Sequence, residues 1–205
     1  EISGCIFNDK MGVDIADSVS AEVTVTNSTL KGGNVEDLFT INDMANSYIT
    51  VDGERLIKVA KIGDVYYDTI ENAFAAAKAG DTIVLVANVT EDVTVAKSLT
   101  IDGKGKQYTG RISVTGSTVS ITIKNVNFVN GDHYAIKTDT IKSITVENCT
   151  VDNYEFGFLY ANKSTPTVVV KDVTVSNCEY GFHYVYGSGA TLENVTMTNV
   201  TNGIV

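Results

Sequence analysis

The pattern ITIKNVNFVN at residues 121–130 recurs in this chain as ITVENCTVDN at 144–153, VVVKDVTVSN at 168–177 and TLENVTMTN at 191–199. Each copy ends in an asparagine, and successive asparagines are 22 to 24 residues apart: Asn130, Asn153, Asn177 and Asn199. Short β-rich segments with a period in the low twenties are typical of a solenoid, in which every repeat forms one coil. The repeat therefore predicts a stack of similar coils.

Apolar residues alternate within each copy, as Ile121, Ile123, Val126 and Phe128 do in the first one. Alternation predicts a strand with one buried face, and the step of three residues after Ile123 predicts a corner where the chain turns into a new sheet. We expect equivalent side chains to stack between coils at about 4.8 Å, the spacing of neighbouring strands. The final asparagines would then form a ladder of side-chain amides at a corner, which is a structural role and not a catalytic one.

The composition limits the classes of function that the chain can have. It has 205 residues and a formal net charge of −10, with 43% apolar and 20% charged residues, which is typical of a folded domain. The acidic balance argues against nucleic acid as a partner. No apolar run reaches the roughly 18 residues of a bilayer-spanning helix, so we expect no membrane insertion. Abundant Thr, Asn, Val and Gly, with few Lys and Arg, favour an extracellular or cell-surface location.

We expect the chain to have three parts. Residues 1–55 form degraded β-helix coils or a docking and assembly segment. Residues 56–80 form a linker strand and a capping helix, and residues 81–205 form the regular coils of the parallel β-helix. In the first part, Asp9 stands at the asparagine position of the repeat. In the second part, Asp68 or Thr69 can begin a short amphipathic helix at about 69–79, and Gly80 can end it. This helix would cover the open end of the coil stack.

The segment at 69–105 reads TIENAFAAAKAGDTIVLVANVTEDVTVAKSLTIDGKG and resembles the entry to right-handed parallel β-helices of the pectin-lyase-like superfamily. It resembles in particular the β-helices of large surface proteins and adhesins of bacteria and archaea. The resemblance implies an all-β fold, a right-handed parallel β-helix with a short capping α-helix. It implies no single activity, because the same fold carries lyases, hydrolases, adhesins and phage tailspikes.

Residues for catalysis or metal binding are hard to assemble from the pattern. Glycoside hydrolysis needs two carboxyl groups at a defined separation, and a calcium site needs several converging oxygen ligands. The outward charges alternate in sign along one row instead, which predicts a surface ladder of ion pairs: Lys124, Glu147, Lys171 and Glu193. His133 and His183 occupy different repeat positions, with no further ligand at metal-binding spacing. We expect no enzyme activity, no metal and no cofactor, with a polysaccharide lyase or hydrolase as the remaining alternative.

An aromatic band is the most suggestive functional feature of the sequence. It runs through two successive repeats, with Phe158 and Phe182 expected in the core and the other rows expected to face outward or to lie at a corner. Exposed rings could stack on sugars, or they could simply stack between coils and stabilise them. The candidate glycan-binding residues are Phe156, Tyr160, Tyr180, Tyr184 and His133.

We interpret the chain as a non-catalytic structural or adhesive module of an extracellular surface protein or of a head-to-tail filament. The alternative is a carbohydrate-binding or polysaccharide-degrading β-helix protein that uses the aromatic band near Tyr160 and Tyr184. Residues 193–205 resemble residues 1–15, so the last coil of one copy could pair with the first coil of the next. The expected partners are other copies of this chain or neighbouring repeats of a longer one, with glycans as a further option.

Overall fold

The computed structural model describes residues 1–8, 13–15, 22–31, 39–41, 48–56, 58–160, 165–184 and 190–205. These residues belong to two compact units, Glu1–Lys58 and Val59–Val205. Asp9, for which the sequence predicted a place in the asparagine ladder, lies outside the described residues. Within the described ranges, no helix is long and apolar enough to cross a membrane.

The first unit consists of short strands in a coil-like order. They are β1 (Ile2–Ser3), β2 (Ile6–Phe7), β3 (Val13–Ile15), β4 (Glu22–Thr26), β5 (Thr29–Leu30), β6 (Phe39–Ile41), β7 (Tyr48–Val51) and β8 (Glu54–Leu56). Parallel pairs join β1 to β4, β4 to β7, β2 to β5 and β3 to β6, the pattern that successive coils produce. Strand β8 pairs with β7 in the antiparallel sense. At one corner Asn27 has a left-handed backbone with φ 49°, and its N–H donates to Oδ1 of Asp52 at 2.8 Å.

The second unit begins with a hairpin and the short predicted helix. The hairpin is formed by β9 (Ala60–Ile62) and β10 (Val65–Tyr67), and helix α1 follows at Ile70–Ala76. Thr69 is the N-cap, because its hydroxyl accepts a hydrogen bond from the Asn72 N–H at 3.0 Å. The buried face of α1 consists of Ile70, Ala73 and Phe74. The helix is shorter than the predicted 69–79, because Ala77 already has an extended backbone and so the helix ends before Gly80.

The coils of the second unit follow the helix. Their strands are β11 (Thr82–Leu85), β12 (Val89–Thr90), β13 (Val93–Val95), β14 (Leu99–Asp102), β15 (Gln107–Thr109), β16 (Ile112–Lys124), β17 (Asn127–Val129), β18 (Tyr134–Asp152), β19 (Phe156–Tyr160), β20 (Thr167–Ser176), β21 (Tyr180–Tyr184), β22 (Thr191–Thr198) and β23 (Asn202–Ile204). The long strands β16, β18 and β20 run around a corner and thus contribute to more than one face of the stack.

Parallel pairing arranges these strands in three faces. The first face contains β11 and β14 and continues through parts of β16, β18, β20 and β22. The second face contains β12, β15 and β17 and continues through later parts of β18, β20 and β22. The third face contains β13, the early parts of β16 and β18, and then β19, β21 and β23. This topology confirms the predicted all-β parallel helix with one short α-helix.

Equivalent residues of the repeat lie directly above one another in the core. Ile123 pairs with Val146, and Val146 pairs with Val170, in a row that is fully buried. Phe158 and Phe182 stack in the interior with ring centroids 4.6 Å apart. The core is therefore a set of side-chain columns that run along the stack, as the alternation of apolar residues predicted.

Helix α1 and strand β9 lie at the start of this coil stack. Strand β9 pairs with β11 in the antiparallel sense. The Glu91 carboxylate accepts hydrogen bonds from the first helical N–H groups, those of Ile70 at 3.2 Å and Glu71 at 3.4 Å. The Lys97 ammonium donates to carbonyls at the other end of the helix, at 2.8 to 3.0 Å: Phe74, Ala75 and Ala77. Two residues that flank β13 thus hold both ends of the helix, each with the charge that the helix dipole favours.

Candidate functional site

The predicted asparagines lie at the corner between the second and third faces. Asn130, Asn153, Asn177 and Asn199 all have left-handed backbones, with φ between 52° and 60°. Asn153 donates its amide hydrogen to Oδ1 of Asn130 at 3.0 Å, and Asn199 donates to Oδ1 of Asn177 at 2.7 Å. Asn177 donates to Oδ1 of Asp152 at 2.7 Å, and not to Asn153. The structure therefore brings the four residues together as two directly bonded pairs and not as one continuous ladder.

A second ladder lies at the corner between the first and second faces. Asn125, Asn148, Asp172 and Asn194 also have left-handed backbones, with φ between 51° and 56°. Asn148 donates to Oδ1 of Asn125 at 2.6 Å, and Asn194 donates to Oδ1 of Asp172 at 3.0 Å. Sequence reasoning located this corner from the spacing of the apolar residues but assigned its polar residues no role. The available signal was an Asn or Asp at the same position of every copy.

The second ladder begins at a buried carboxylate. Asp102 is 5% exposed and accepts hydrogen bonds from the Asn125 amide at 2.8 Å and from the Lys104 N–H at 3.1 Å. The Lys104 ammonium lies 3.1 Å from the other carboxylate oxygen. Burial acts to raise the pKa of Asp102, but the hydrogen bonds from Asn125 and Lys104 outweigh it and hold the pKa below its usual range. Asp102 therefore remains ionised and anchors this corner.

Tyr160 does not belong to an exposed aromatic band, contrary to the prediction. It is fully buried, and its ring lies 6.3 Å from that of Phe158 and 5.0 Å from that of Tyr184. The physical reason is the strand period, because Tyr160 follows Phe158 by two residues and so shares its inward face. Burial raises the pKa of the Tyr160 phenol, whose oxygen has no hydrogen-bond partner among the described residues. Tyr184, which stacks on Tyr160, is only partly exposed.

The other predicted residues form a partly exposed cluster on the third face. The rings of Phe156 and Tyr180 stack at 4.8 Å with an angle of 13° between their planes. His133 lies against Phe156 at 5.2 Å, nearly perpendicular to it. His183, which sequence reasoning set aside, contacts both stacked rings at 5.3 Å. We call Phe156, Tyr180, His133 and His183 the outer aromatic cluster.

The stacking geometry determines what the outer aromatic cluster can offer to a ligand. Phe156 and Tyr180 each use one ring face against the other ring, which is the arrangement that stabilises adjacent coils. Nδ1 of His133 lies within hydrogen-bond distance of Oε2 of Glu155, at 2.5 Å, and both side chains are about 40% exposed. Exposed pairs of this kind contribute little to stability, about 0–1 kcal/mol. The cluster therefore presents to the solvent only partly exposed rings and one polar pair.

Cations line the third face near this cluster. The ring of Tyr134 lies 5.1 Å from that of His133, with the Arg111 guanidinium at 5.8 Å and the Lys137 ammonium at 5.7 Å from the Tyr134 ring. Arg111 also donates hydrogen bonds to Asp92, and these hold the pKa of Asp92 below its usual range. Arg111 is therefore paired with Asp92, whereas Lys137 forms no ion pair with the residues that the structure describes.

The predicted row of alternating charges lies on the first face. Its members pair in register from coil to coil, as Lys124 does with Glu147 and Glu147 with Lys171. Of the four residues in this row, all of which the structure describes, only Lys171 and Glu193 come within ion-pair distance of each other, at 3.4 Å. Those described residues also contain no group of three or more His, Cys, Asp or Glu arranged to hold a metal ion.

Comparisons with known proteins bear on the fold and not on an activity. No curated protein matches the chain, and no solved structure matches it. A family model described as a right-handed β-helix region matches residues 69–201. The matched segment begins at the cap of α1 and covers the coils whose three parallel faces are described above. The chain therefore belongs to the right-handed β-helix family.

Proposed function

We propose that this protein is a non-catalytic structural or adhesive β-helix module of an extracellular surface protein or of a head-to-tail filament. The observation that carries the proposal is that polar and aromatic side chains bind equivalent side chains on the neighbouring coil. At two corners, pairs of Asn side chains bond between coils, Lys171 pairs with Glu193, and Phe156 stacks on Tyr180. Side chains that bind their counterparts on the next coil serve the length and rigidity of the stack. A rigid coil stack is suited to holding a contact surface away from the cell surface.

An activity assay tests the non-catalytic part of this proposal. The protein is incubated with a panel of neutral and acidic polysaccharides, and new reducing ends and unsaturated products are measured. We expect no product above the buffer background. A product that disappears in His133→Gln or Glu155→Gln would overturn the proposal, because these residues form the exposed polar pair nearest to the outer aromatic cluster.

Glycan binding by the outer aromatic cluster is the second candidate function. It is favoured by the partial exposure of Phe156, Tyr180 and His133 beside the polar pair with Glu155. Aromatic rings with polar neighbours can stack on the apolar face of a sugar. Because Tyr160 is buried, this hypothesis rests on the partly exposed Phe156 and Tyr180 and not on the Tyr160 and Tyr184 region.

A glycan array separates display from glycan binding. If the cluster binds sugars, Tyr180→Ala reduces the retained signal at least tenfold, while Tyr160→Phe leaves it unchanged because Tyr160 is buried. Circular dichroism of both variants checks that the β-sheet content is kept. A wild-type protein that binds nothing on the array eliminates the second candidate.

Pairing between copies is the remaining part of the proposal. Among the described strands, β22 and β23 each have a neighbour on one side only, and Ile204 is 61% exposed. In the first unit, β2 pairs only with β5, and Ile6 is 74% exposed. Open parallel edges with exposed apolar residues favour strand addition. We infer that the edge at β22 and β23 accepts a further coil, either from the β1 and β2 edge of a second copy or from a neighbouring repeat of a longer chain.

Light scattering after size exclusion tests this pairing. We expect the mass to rise with protein concentration, and Ile204→Lys to keep the chain monomeric. The exposed substitution Val65→Lys serves as a matched control, because Val65 is 58% exposed but lies on β10. A single monomeric mass for the wild type at all concentrations would contradict the inference.

A further inference from the structure

The hydrogen bonds of the corner asparagines have one direction along the second unit. Six of these side chains donate to the coil before them, over 2.6 to 3.0 Å: Asn125, Asn148 and Asn194 at one corner, and Asn153, Asn177 and Asn199 at the other. Asn125 and Asn177 show the complete pattern, because each also accepts with its Oδ1 from the asparagine of the following coil. The coil stack is therefore polar: a following coil brings the donors, and the coil before it offers the acceptors.

The coil that contains β22 and β23 offers acceptors at three positions. Asn194 and Asn199 are exposed and direct their amide hydrogens backwards, so their oxygens are the groups that a further coil meets. Glu193 ends the charged row that alternates in sign from coil to coil: Lys124, Glu147, Lys171 and Glu193. Its side chain is 55% exposed. The next member of this row should be a cation, because like charges directly opposite each other are destabilising.

The apolar part of the same surface favours any coil of the repeat. The inward apolar residues of β22 are partly exposed, whereas their counterparts on β20 are at most 1% exposed: Leu192, Val195 and Met197 against Val170, Val173 and Val175. A coil with apolar residues at the same positions would bury them, and every copy of the repeat has such residues. Burial thus drives the addition of a coil, and the polar positions decide which coil fits.

We propose that this end of the stack is selective for a coil with a cation opposite Glu193 and a side-chain amide opposite each of Asn194 and Asn199. We call a coil of this kind a ladder-type coil. The inference rests on the coil addition proposed above and names its occupant, a neighbouring repeat of the ladder type. Residues 121–130 show such a coil within this chain, with these residues at the three positions: Lys124, Asn125 and Asn130.

The first coil of this chain matches the apolar part of the surface but not the polar part. In the sequence, Ser3, Gly4 and Asp9 stand at the positions of Glu193, Asn194 and Asn199. Gly4 has the left-handed backbone of a corner, with φ 64°, but no side-chain amide. The Asp9 carboxylate can only accept hydrogen bonds, and the Ser3 hydroxyl brings no positive charge. A second copy should therefore pair at this end more weakly than a ladder-type coil does.

Two extended versions of the full chain test this selectivity. The matched extension carries a copy of residues 114–136 after Val205. This copy continues the register, because Ile112 and Ile204 stand in the same column of the third face. Hydrogen exchange of the β22 and β23 amides then measures how firmly the added coil is paired.

The control extension differs from the matched one only at the three polar positions. Its copy carries Lys124→Ser, Asn125→Gly and Asn130→Asp, which are the residues of the first coil. Glycine and aspartate both tolerate the left-handed backbone of the corners, so the control coil keeps its ability to fold.

We expect the matched extension to slow exchange in β22 and β23, and the control extension to give less protection by a factor of about ten or more. Glu193→Gln should reduce the protection by the matched extension up to about fivefold and leave that by the control extension unchanged. Equal protection by the two extensions would overturn the selectivity and leave coil addition in place. No protection by either extension, with β16 and β18 exchanging as in the unextended chain, would contradict coil addition itself and the selectivity with it.

Discussion

Asparagine at a coil corner performs two separable tasks. Its backbone adopts a left-handed conformation that costs most L-residues roughly 1–2 kcal/mol, and its side chain donates a hydrogen bond to the coil before it. Asn153 does both, with φ 60° and a bond of 3.0 Å to Asn130. Glycine can perform only the first task, and alanine can perform neither. This difference allows the backbone and side-chain contributions to be measured apart.

The pair Asn153→Gly and Asn153→Ala should therefore differ in stability. Both variants lose one hydrogen bond, worth about 0.5–1.5 kcal/mol. Alanine additionally forces a Cβ into the left-handed region, so Asn153→Ala should be less stable than Asn153→Gly by about 1 kcal/mol. Urea unfolding followed by circular dichroism measures the difference. Equal stabilities would mean that the corner backbone relaxes when the asparagine is removed.

A row of glycines on the third face has a different physical cause. A Cβ at Gly157 would lie 2.8 Å from the carbonyl oxygen of Gly181, and a Cβ at Gly181 would lie 2.6 Å from that of Gly203. At Gly203 the nearest atom is the flexible Met197 sulfur, at 3.3 Å. Gly157 and Gly181 are therefore glycine because the backbone of the next coil approaches too closely for a side chain, which is not the case at Gly203.

Gly157→Ala should consequently be costly and Gly203→Ala mild. The first substitution presses a methyl group against a carbonyl that is fixed in a sheet, and overpacking of this kind costs about 1–3 kcal/mol. The second displaces only the end of a methionine side chain and should cost less than about 0.5 kcal/mol. Thermal unfolding of the two variants, which make the same chemical change in the same row, provides the test. The explanation is wrong if both variants are destabilised equally.

Helix α1 depends on the coil beneath it more than on its own sequence. Seven residues are too few for a stable isolated helix, because nucleation is unfavourable. Burial of Ile70, Ala73 and Phe74 and the contacts of Glu91 and Lys97 with the two helix ends supply what is missing. The helix therefore reports on the integrity of the first coil.

Lys97→Met should loosen this helix while leaving its apolar contacts intact. The ammonium donates to three carbonyls at the C-terminal end, and its loss should destabilise the second unit by about 1 kcal/mol, given the exposure of the lysine. Hydrogen exchange at 70–77 should accelerate with it. Lys78→Met, which removes an exposed lysine next to the same helix, is the matched control and should change neither quantity.

Elements that depend on the repeat were predictable, and elements that depend on contacts between distant residues were not. The alternation in each copy located the strands and corners because every coil repeats the same buried row, as with Ile123 and Val146. The contacts of Glu91 and Lys97 with the helix join residues about twenty positions apart, and no local pattern indicates them. The burial of Tyr160 was open to prediction, since it follows the core residue Phe158 by two positions.

The two units differ greatly in the apolar core that supports them. Within the described part of the first unit, the buried apolar residues are Val25, Leu30, Ile49 and Val51. The second unit contains one continuous cluster that extends from Val59 to Phe182. In a coil stack, stability accumulates from each coil and its neighbours, so a short stack with a small core is the weaker one. The parallel array of each unit also meets an antiparallel strand, β8 in the first unit and β9 in the second.

The first unit should accordingly open before the second. Hydrogen exchange can be measured at increasing urea concentrations. The amides of β4 should begin to exchange at a lower urea concentration than those of β16 and β18, because the first unit opens separately. The reason is the difference in buried apolar area, since each buried aliphatic side chain contributes about 1.5–3 kcal/mol. Ile49→Ala should lower the urea concentration at which β4 exchanges and leave β16 and β18 unchanged. Val146→Ala should lower that concentration for β16 and β18 only. If one substitution shifts all of these strands together, the chain unfolds as a single cooperative body and the division into two units has no energetic meaning.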